Sequence, residues 1–166
     1  LRAGDILEAG KPTIELPKLA ARDFPVEKYM SYSQSPIIEV IAGPQQERFT
    51  EEGIQTFYGS EYTLSKSFDR MGYRLEGNII SHSNGADLIS EGMTMGSVQV
   101  PASGQPIVMM ADSPTTGGYP KIANVTRASL PLLAQCEAEK SKIQFRETSV
   151  EDAQEMLQKM INLRGL

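Results

Sequence analysis

Hydrophobic and polar positions in this chain alternate over short runs, a pattern typical of β-strands. Residues 106–111 form an apolar run with the length and β-branched content of a buried strand. Residues 37–42 form a second clear strand, which Gly43-Pro44 ends. Shorter segments of the same kind predict further strands at residues 61–65, 72–77, 94–100, 122–125 and 143–147. Many short strands at regular spacing indicate a mainly β protein, either a barrel or a sandwich.

Only the C-terminal segment has the period of an amphipathic helix. Thr148 and Glu151 have the spacing of a capping box, in which each side chain satisfies a main-chain N–H group of the first turn. Apolar side chains then recur every three or four residues and are expected to pack on the core: Ala153, Met156, Leu157 and Met160. The pattern predicts a helix over residues 149–164.

The first 36 residues differ from the rest. They consist of short apolar pieces separated by Gly10, Pro12 and Pro17, and they begin without an initiator methionine. We expect residues 1–36 to be an N-terminal arm or the remnant of a preceding domain, and the chain to be a fragment. Residues 37–166 are expected to form one β domain that ends in the C-terminal helix.

Composition narrows the class of protein. The 166 residues are 40% hydrophobic and 22% charged, as in an ordinary globular domain. The net charge of −5 and the absence of a Lys/Arg cluster argue against a nucleic-acid partner or an anionic membrane surface. A lone Cys136 and a lone His82 support neither a disulfide framework, nor a zinc site, nor a Cys–His nucleophile. We expect a cytoplasmic protein that binds no metal.

The most informative stretch follows the apolar run at 106–111. Gly117 and Gly118 permit a close approach of another backbone. Hydrogen-bonding and charged side chains surround this glycine pair, at Asp112, Thr115, Thr116, Tyr119 and Lys121. A polar loop held by a rigid strand is where binding residues concentrate, so this stretch predicts one wall of a ligand site.

A second polar group lies around the strand at 72–77. In an extended segment Arg70 and Arg74 would face the same side and could grip a carboxylate. The alternative, equally supported, is a solvated face on which Asp69 and Glu76 are local ion-pair partners. Gln45 and Glu91 lie in two weaker polar fragments at strand ends. Four such fragments could converge at one mouth of a barrel, a common place for a ligand.

Taken together, these segments resemble the biotin-dependent carboxyltransferase family. The resemblance covers residues 37–146, in order and at family spacing, and is carried by residues 43–45, 67–75, 90–92, 98–101, 104–108 and 111–123. It implies a cyclophilin-like β-barrel. Family members are about twice as long, so the chain is expected to be the C-terminal part of such a subunit.

The resemblance also implies a function. It points to a subunit of a multi-subunit, ATP-dependent amidohydrolase, foremost a 5-oxoprolinase that opens 5-oxoproline to glutamate. A related allophanate hydrolase or a urea carboxylase-type carboxyltransferase is the nearby alternative. The expected partners are a KipI-like (allophanate hydrolase subunit 1) protein and a small amide substrate. The chain has no Walker-type phosphate loop, so no cofactor is expected on the chain itself, and ATP or carboxybiotin is expected to act through partner subunits.

We assign roles to the polar residues as a hypothesis. Asp112 would orient or deprotonate an amide N–H, and Arg70 would supply positive charge. Lys121 and Tyr119 would shape or close the pocket. Thr115, Thr116, Gly117 and Gly118 would hold a carbonyl or carboxylate oxygen. Arg74, Gln45 and Glu91 complete the predicted substrate-binding set.

A non-catalytic function remains as the alternative. In that interpretation the barrel is a regulatory module that binds a KipI-like kinase inhibitor, and the glycine-rich loop is an interface. A concave pocket at the loop would favour an enzyme, whereas a flat apolar patch would favour an interaction surface.

Overall fold

Nine strands and three helices make up the described part of the protein. The structure, a computed structural model, describes residues 1–11, 13 and 31–164. The strands are β1 Ile37–Ala42, β2 Glu61–Phe68, β3 Gly72–Glu76, β4 Glu91–Gly92, β5 Ser97–Gln99, β6 Ile107–Met109, β7 Thr116–Gly117, β8 Lys121–Val125 and β9 Lys142–Glu147. The helices are α1 Glu51–Gly59, α2 Leu130–Leu133 and α3 Val150–Arg164, with a 3₁₀ turn at Gln46–Arg48.

Seven of the strands form a closed barrel in the order β1-β8-β5-β6-β3-β2-β9. All neighbours are antiparallel except β1 and β9, whose parallel pairing closes the barrel. In that pair Ile38 lies opposite Phe145. Closure leaves no strand edge in the barrel exposed to other chains. The predicted mainly β barrel with short helices and a C-terminal helix is confirmed.

Alternate residues of the strands fill the barrel interior. The fully buried side chains include Ile38 and Val40 of β1, Tyr62 and Leu64 of β2, and Val98 of β5. This alternation follows from the two-residue period of a strand, which sends successive side chains to opposite faces. Helix α1 adds Phe57, whose ring stacks on that of Phe145 with 4.6 Å between centroids. Burial of these apolar surfaces is the main stabilising contribution to the barrel.

The remaining two strands form a separate ribbon. β4 and β7 pair only with each other, with Glu91 opposite Gly117 and Gly92 opposite Thr116. Two further main-chain hydrogen bonds extend the ribbon, from the Met93 N–H to the Thr115 carbonyl and from the Leu88 N–H to the Gly118 carbonyl, each 2.8 Å. The polar stretch after β6 is therefore held in a two-stranded structure.

The N-terminal segment is described in part. The chain divides into two compact units, Leu1–Met30 and Ser31–Leu166. Within the first unit, the Asp5 N–H donates to the Arg2 carbonyl at 3.1 Å, and the Arg2 N–H donates to the Asp5 carboxylate at 2.6 Å. Half of the predicted arm, including Pro12 and Pro17, lies outside the described residues, so the division at residue 36 stays a prediction.

Helix α3 begins one residue later than the capping box predicts. The Ser149 hydroxyl accepts from the Asp152 N–H at 3.1 Å and donates to the Asp152 carboxylate at 2.7 Å. The cap is Ser149 and not Thr148. The Thr148 N–H donates to the Val40 carbonyl at 2.9 Å and continues the β1–β9 pairing, so the Glu151 side chain cannot accept from it as a capping box requires. The expectation that the apolar stripe of this helix enters the core is wrong. Its four side chains are only half-buried, and none belongs to the core cluster.

We expect the two candidate caps to differ on substitution. Ser149→Ala removes the acceptor for the Asp152 N–H and should destabilise the first turn of α3 by about 1 kcal/mol. Thr148→Ala is the matched control and should leave that turn unchanged. Hydrogen exchange of the α3 amides measures both effects, and faster exchange in the Thr148 variant alone would contradict this assignment of the cap.

Candidate active site

A cavity of about 440 Å³ lies between the β4–β7 ribbon and the barrel wall. Its polar lining includes Lys66, Ser67, Asp69, Arg74 and Gln99, and its apolar lining includes Phe68, Met71, Met93, Ile107 and Met109. Arg74, Ile107 and Met109 alternate along their strands with Leu75 and Val108, which belong to the core cluster. The cavity therefore lies on the outer face of the barrel wall. The expected site at a barrel mouth is corrected accordingly, because the interior is filled by core side chains.

Five of the predicted substrate-binding residues meet in this cavity. They are Arg74, Thr116, Gly117, Gly118 and Tyr119. Thr115 lies next to them in the ribbon, where its carbonyl accepts from the Met93 N–H. Pairing of β3 with β6 and of β7 with β4 brings together two polar segments that are far apart in the sequence. The roles of these residues in binding stay predictions.

Strand register aligns four residues across the wall beneath the ribbon. Lys121 lies opposite Gln99, Gln99 opposite Ile107, and Ile107 opposite Arg74. We call these four residues the cross-strand row. A register shift between Val98 and Gln99 marks a bulge where β5 meets β8, and such bulges re-aim side chains beside functional sites. Three members of the row, Gln99, Ile107 and Arg74, line the cavity, so an amide, an aliphatic group and a cation face the same space and can orient a ligand with unlike polar groups.

Gln99 lines the cavity and is not among the site residues predicted from the sequence. It is half-buried, and its Oε1 atom is shielded from solvent without a hydrogen-bond partner among the described residues. The oxygen lies beneath Gly117, where an added Cβ would be 3.3 Å from Oε1 and 2.6 Å from the Met93 sulfur. A side chain at residue 117 would therefore fit only if the flexible end of Met93 shifted, and it would lie in tight contact with Gln99 of the wall. Two signals in the sequence could have found it: a polar residue between two valines, and its place in residues 98–101, one of the segments that carry the family resemblance.

A second polar cluster joins the ribbon to the barrel. The Gln45 amide donates to the Glu91 carboxylate at 2.6 Å, and the Lys121 ammonium lies 3.4 Å from the same oxygen. The Gln45 Oε1 atom accepts from the Lys121 N–H at 3.1 Å. The Lys121 side chain is 5% exposed, whereas that of Glu91 is 52% exposed. Three residues selected from separate sequence fragments thus converge here, and their contacts anchor β4 to β8.

Substitution of Glu91 and substitution of Lys121 should lower the free energy of unfolding by different amounts. Glu91→Gln leaves the buried Lys121 ammonium without a negative partner and should lower the free energy of unfolding by about 1–2 kcal/mol. Lys121→Met removes the buried charge and keeps an apolar chain of similar length, while water can solvate the half-exposed Glu91. Its cost should stay below about 1 kcal/mol. Urea denaturation of both variants tests this order, and a larger loss for Lys121→Met would contradict it.

Arg70 and Asp112 form a bidentate ion pair outside the cavity lining. The Arg70 Nε and Nη2 atoms donate to the two Asp112 oxygens at 2.6 and 2.9 Å, and the Asp112 N–H donates to the Arg70 carbonyl at 2.8 Å. Both side chains are exposed, at 76% and 52%. The pair ties the turn before β3 to the end of β6.

Arg70 and Arg74 do not form the paired surface expected of one extended segment. The Asp69 carboxylate accepts from the N–H groups of Met71 and Gly72 at 2.8 and 3.1 Å, which closes a turn. Arg70 lies in that turn and reaches Asp112, whereas Arg74 lies in β3 and lines the cavity. Residues 69–72 are thus not extended, which is why the two guanidinium groups diverge.

Hydrogen bonding by Arg70 holds the pKa of Asp112 below its ordinary value of 3.8. The same contact raises the pKa of Arg70. Both carboxylate oxygens of Asp112 are occupied, and a lowered pKa makes a carboxylate a weaker base. In this arrangement Asp112 can accept a proton from a ligand only after the ion pair opens. Its role as an acid or base stays a prediction.

Removing Arg70 should raise the pKa of Asp112 toward 3.8. Because the folded-state pKa is depressed, stabilisation by the pair is present above the unfolded-state pKa and is lost as the pH falls through the folded-state value. Carboxyl-carbon NMR titration of wild type and Arg70→Gln measures the change. An Asp112 midpoint that does not move would show that Arg70 does not set it.

The surroundings of the remaining candidate groups, a metal cluster, the Cys136 thiol and the His82 ring, can be described in the same way. The described residues contain no group of three or more His, Cys, Asp and Glu side chains that could hold a metal ion. The Cys136 thiol is buried, and burial raises its pKa, which keeps it neutral. His82 contacts the Val100 carbonyl at 2.9 Å and packs against Phe49. No helix in the described ranges is long and apolar enough to cross a membrane.

The sequence of the chain is similar to a family of carboxyltransferase domains and to two bacterial enzyme subunits. A sequence model of the carboxyltransferase domain, subdomains A and B, matches residues 1–147. The chain is 35% identical over 159 residues to the 5-oxoprolinase C subunit of Haemophilus influenzae, a match that covers 96% of this chain and 48% of the relative. It is 41% identical over 116 residues to the Escherichia coli protein of the same name, covering 70% of this chain and 37% of the relative. The chain thus spans less than half the length of these relatives.

The fold has a counterpart in a solved structure. The Kluyveromyces lactis urea carboxylase superimposes with a TM-score of 0.72 at 22% identity, over 81% of this chain and 13% of that chain. At this identity the likeness concerns the fold alone.

Proposed function

The chain belongs to the family of carboxyltransferase domains, subdomains A and B, and on that premise we propose that it is part of a subunit of a multi-subunit, ATP-dependent 5-oxoprolinase. The observation that carries the proposal is the identity with two 5-oxoprolinase C subunits over most of the chain. The reaction is the hydrolytic opening of the 5-oxoproline amide to glutamate.

The cavity supports an enzyme rather than an interaction module. It is concave and polar on one side, with Arg74, Lys66 and Gln99 in its lining, whereas a docking surface would be flat and apolar. Its volume of about 440 Å³ suits a small molecule. In the proposal this cavity receives the amide substrate, and the glycine pair 117–118 lets the substrate approach the main chain.

ATP binding is assigned to a partner subunit in this proposal. Helix N-termini bind phosphate when their first turns are free of negative charge. In the described residues, α1 begins with Glu51 and Glu52, and α3 begins with Glu151 and Asp152. These acids repel phosphate, so neither helix fits the nucleotide. A KipI-like subunit is the proposed ATP-binding partner.

The proposal is tested with the full-length native subunit assembled with its partner subunits. Glutamate release from 5-oxoproline should require both ATP and this subunit. Incorporation of bicarbonate into urea without glutamate release would replace the proposal with a carboxyltransferase function. Absence of both reactions in the complete assembly would favour a regulatory module.

Substitution of Asp112 tests the predicted catalytic role. If Asp112 takes part in turnover after its pair with Arg70 opens, Asp112→Ala should reduce glutamate release by about 100-fold or more. The thermal midpoint should barely change, because the ion pair is exposed. Asp87→Ala, which removes another exposed carboxylate, is the matched control. A loss of fold together with activity would instead make Asp112 structural.

A further inference from the structure

The cross-strand row presents two unlike polar groups on either side of an aliphatic one. Gln99, Ile107 and Arg74 are consecutive in the row, on the neighbouring strands β5, β6 and β3. Adjacent strands lie about 4.8 Å apart, so the backbones of Gln99 and Arg74 are separated by about 10 Å. All three residues line the same cavity. Long side chains that lean toward each other across this gap can contact two different polar groups of one small molecule.

Arg74 is the cation in this cavity that remains available to an anion. Lys66, the other cation in the lining, pairs with Glu139 at 3.1 Å. Lys121, at the far end of the row, is held by Glu91. Arg74 does not belong to any ion pair within residues 1–11, 13 and 31–164. A guanidinium group binds a carboxylate through two parallel hydrogen bonds, which fixes the orientation of the anion.

Gln99 needs a hydrogen-bond donor from the ligand, whereas Arg74 needs an anion. Its Oε1 atom is buried, and no group in the described chain donates to it. A buried acceptor without a donor is unfavourable, so a ligand N–H that reached this oxygen would gain a hydrogen bond at a site where water is excluded. Since no protein hydrogen bond restrains Oε1, the terminal amide can rotate about its last torsion and aim the oxygen into the cavity. The amide nitrogen of the same side chain can donate to a carbonyl.

We propose that Gln99 and Arg74 determine substrate specificity in this cavity, which takes a small ligand carrying both an amide N–H and a carboxylate. Arg74 binds the carboxylate, Gln99 binds the amide, and Ile107 contacts the hydrocarbon part of the ligand. Met93 and Met109 line the same cavity and add adaptable apolar contacts. The inference rests on the proposed function, of which it names the recognition residues, and 5-oxoproline carries both required groups.

Three ligands measure the contact of Gln99 with the N–H and the contact of Arg74 with the carboxylate separately. 5-Oxoproline has both groups, N-methyl-5-oxoproline lacks the N–H, and 2-pyrrolidinone lacks the carboxylate. Their dissociation constants are measured by calorimetry on the complete native assembly without ATP, so that no turnover occurs. Wild type should bind 5-oxoproline about tenfold or more tighter than either analogue, because each analogue leaves one polar group of the site unpaired.

The variants assign each preference to its residue. Gln99→Leu should remove the preference for the N–H and keep the preference for the carboxylate, and Arg74→Gln should do the reverse. A steric penalty from the N-methyl group would persist in Gln99→Leu and is thereby distinguished from a lost hydrogen bond. Gln55→Leu and Arg127→Gln make the same chemical changes at exposed positions outside the cavity lining and should bind like wild type. If Gln99→Leu does not assemble, Gln99→Ala takes its place.

The outcomes separate this inference from the function it rests on. Both preferences unchanged in the variants, or no binding of 5-oxoproline by wild type, would overturn the assignment of Gln99 and Arg74. If wild type releases glutamate and both variants keep the wild-type KM for 5-oxoproline, the assignment of Gln99 and Arg74 is also overturned. The proposed function would then stand. Absence of ATP-dependent glutamate release by wild type would reject the proposed function, while the binding preferences would still decide which residues recognise the ligand.

Discussion

Parallel pairing of β1 with β9 is the constraint on which the rest of the structure depends. It joins residues more than 100 positions apart, with Ile38 opposite Phe145, and converts an open sheet into a barrel. Closure gives the wall two distinct faces. The inner face takes core side chains such as Phe145, on which Phe57 of α1 stacks, and the outer face between β3 and β8 carries polar residues beside Ile107 and Met109. The cross-strand row exists because this wall has a definite order and register.

The β4–β7 ribbon turns part of the outer face into a cavity. A barrel wall alone is convex and cannot enclose a small molecule. The ribbon lies close over Gln99 because Gly117 has no side chain, and Glu91 holds the ribbon to the buried Lys121. The two groups of polar residues thus differ in what they do. Gln45, Glu91 and Lys121 hold the ribbon, whereas the cavity below it presents Arg74 and Gln99.

Much of the fold could be predicted from local sequence. Strands β1, β2, β3, β5, β6, β8 and β9 and helix α3 lie where alternation, turn residues and helical period place them. The ribbon was not predicted, because two-residue strands such as Glu91–Gly92 carry too little pattern. The cap was assigned to Thr148 rather than Ser149, since both have an acid three residues later and only the pairing of Thr148 with Val40 decides between them. For the candidate site, the polar segments were identified, but their partners were not.

Local sequence by itself determined where the strands run, which side chains are apolar, that residues 112–121 are a polar segment after a strand, and that Arg74 lies within one. Only the tertiary structure decided that Arg70 pairs with Asp112, 42 residues away, and that Arg74 lies in a cavity with Gln99. The physical reason is that strand formation depends on neighbours along the chain, whereas side-chain contacts across a barrel depend on strand order and register. A turn at Asp69 separates Arg70 from Arg74, and a bulge at Gln99 aligns that residue with Lys121.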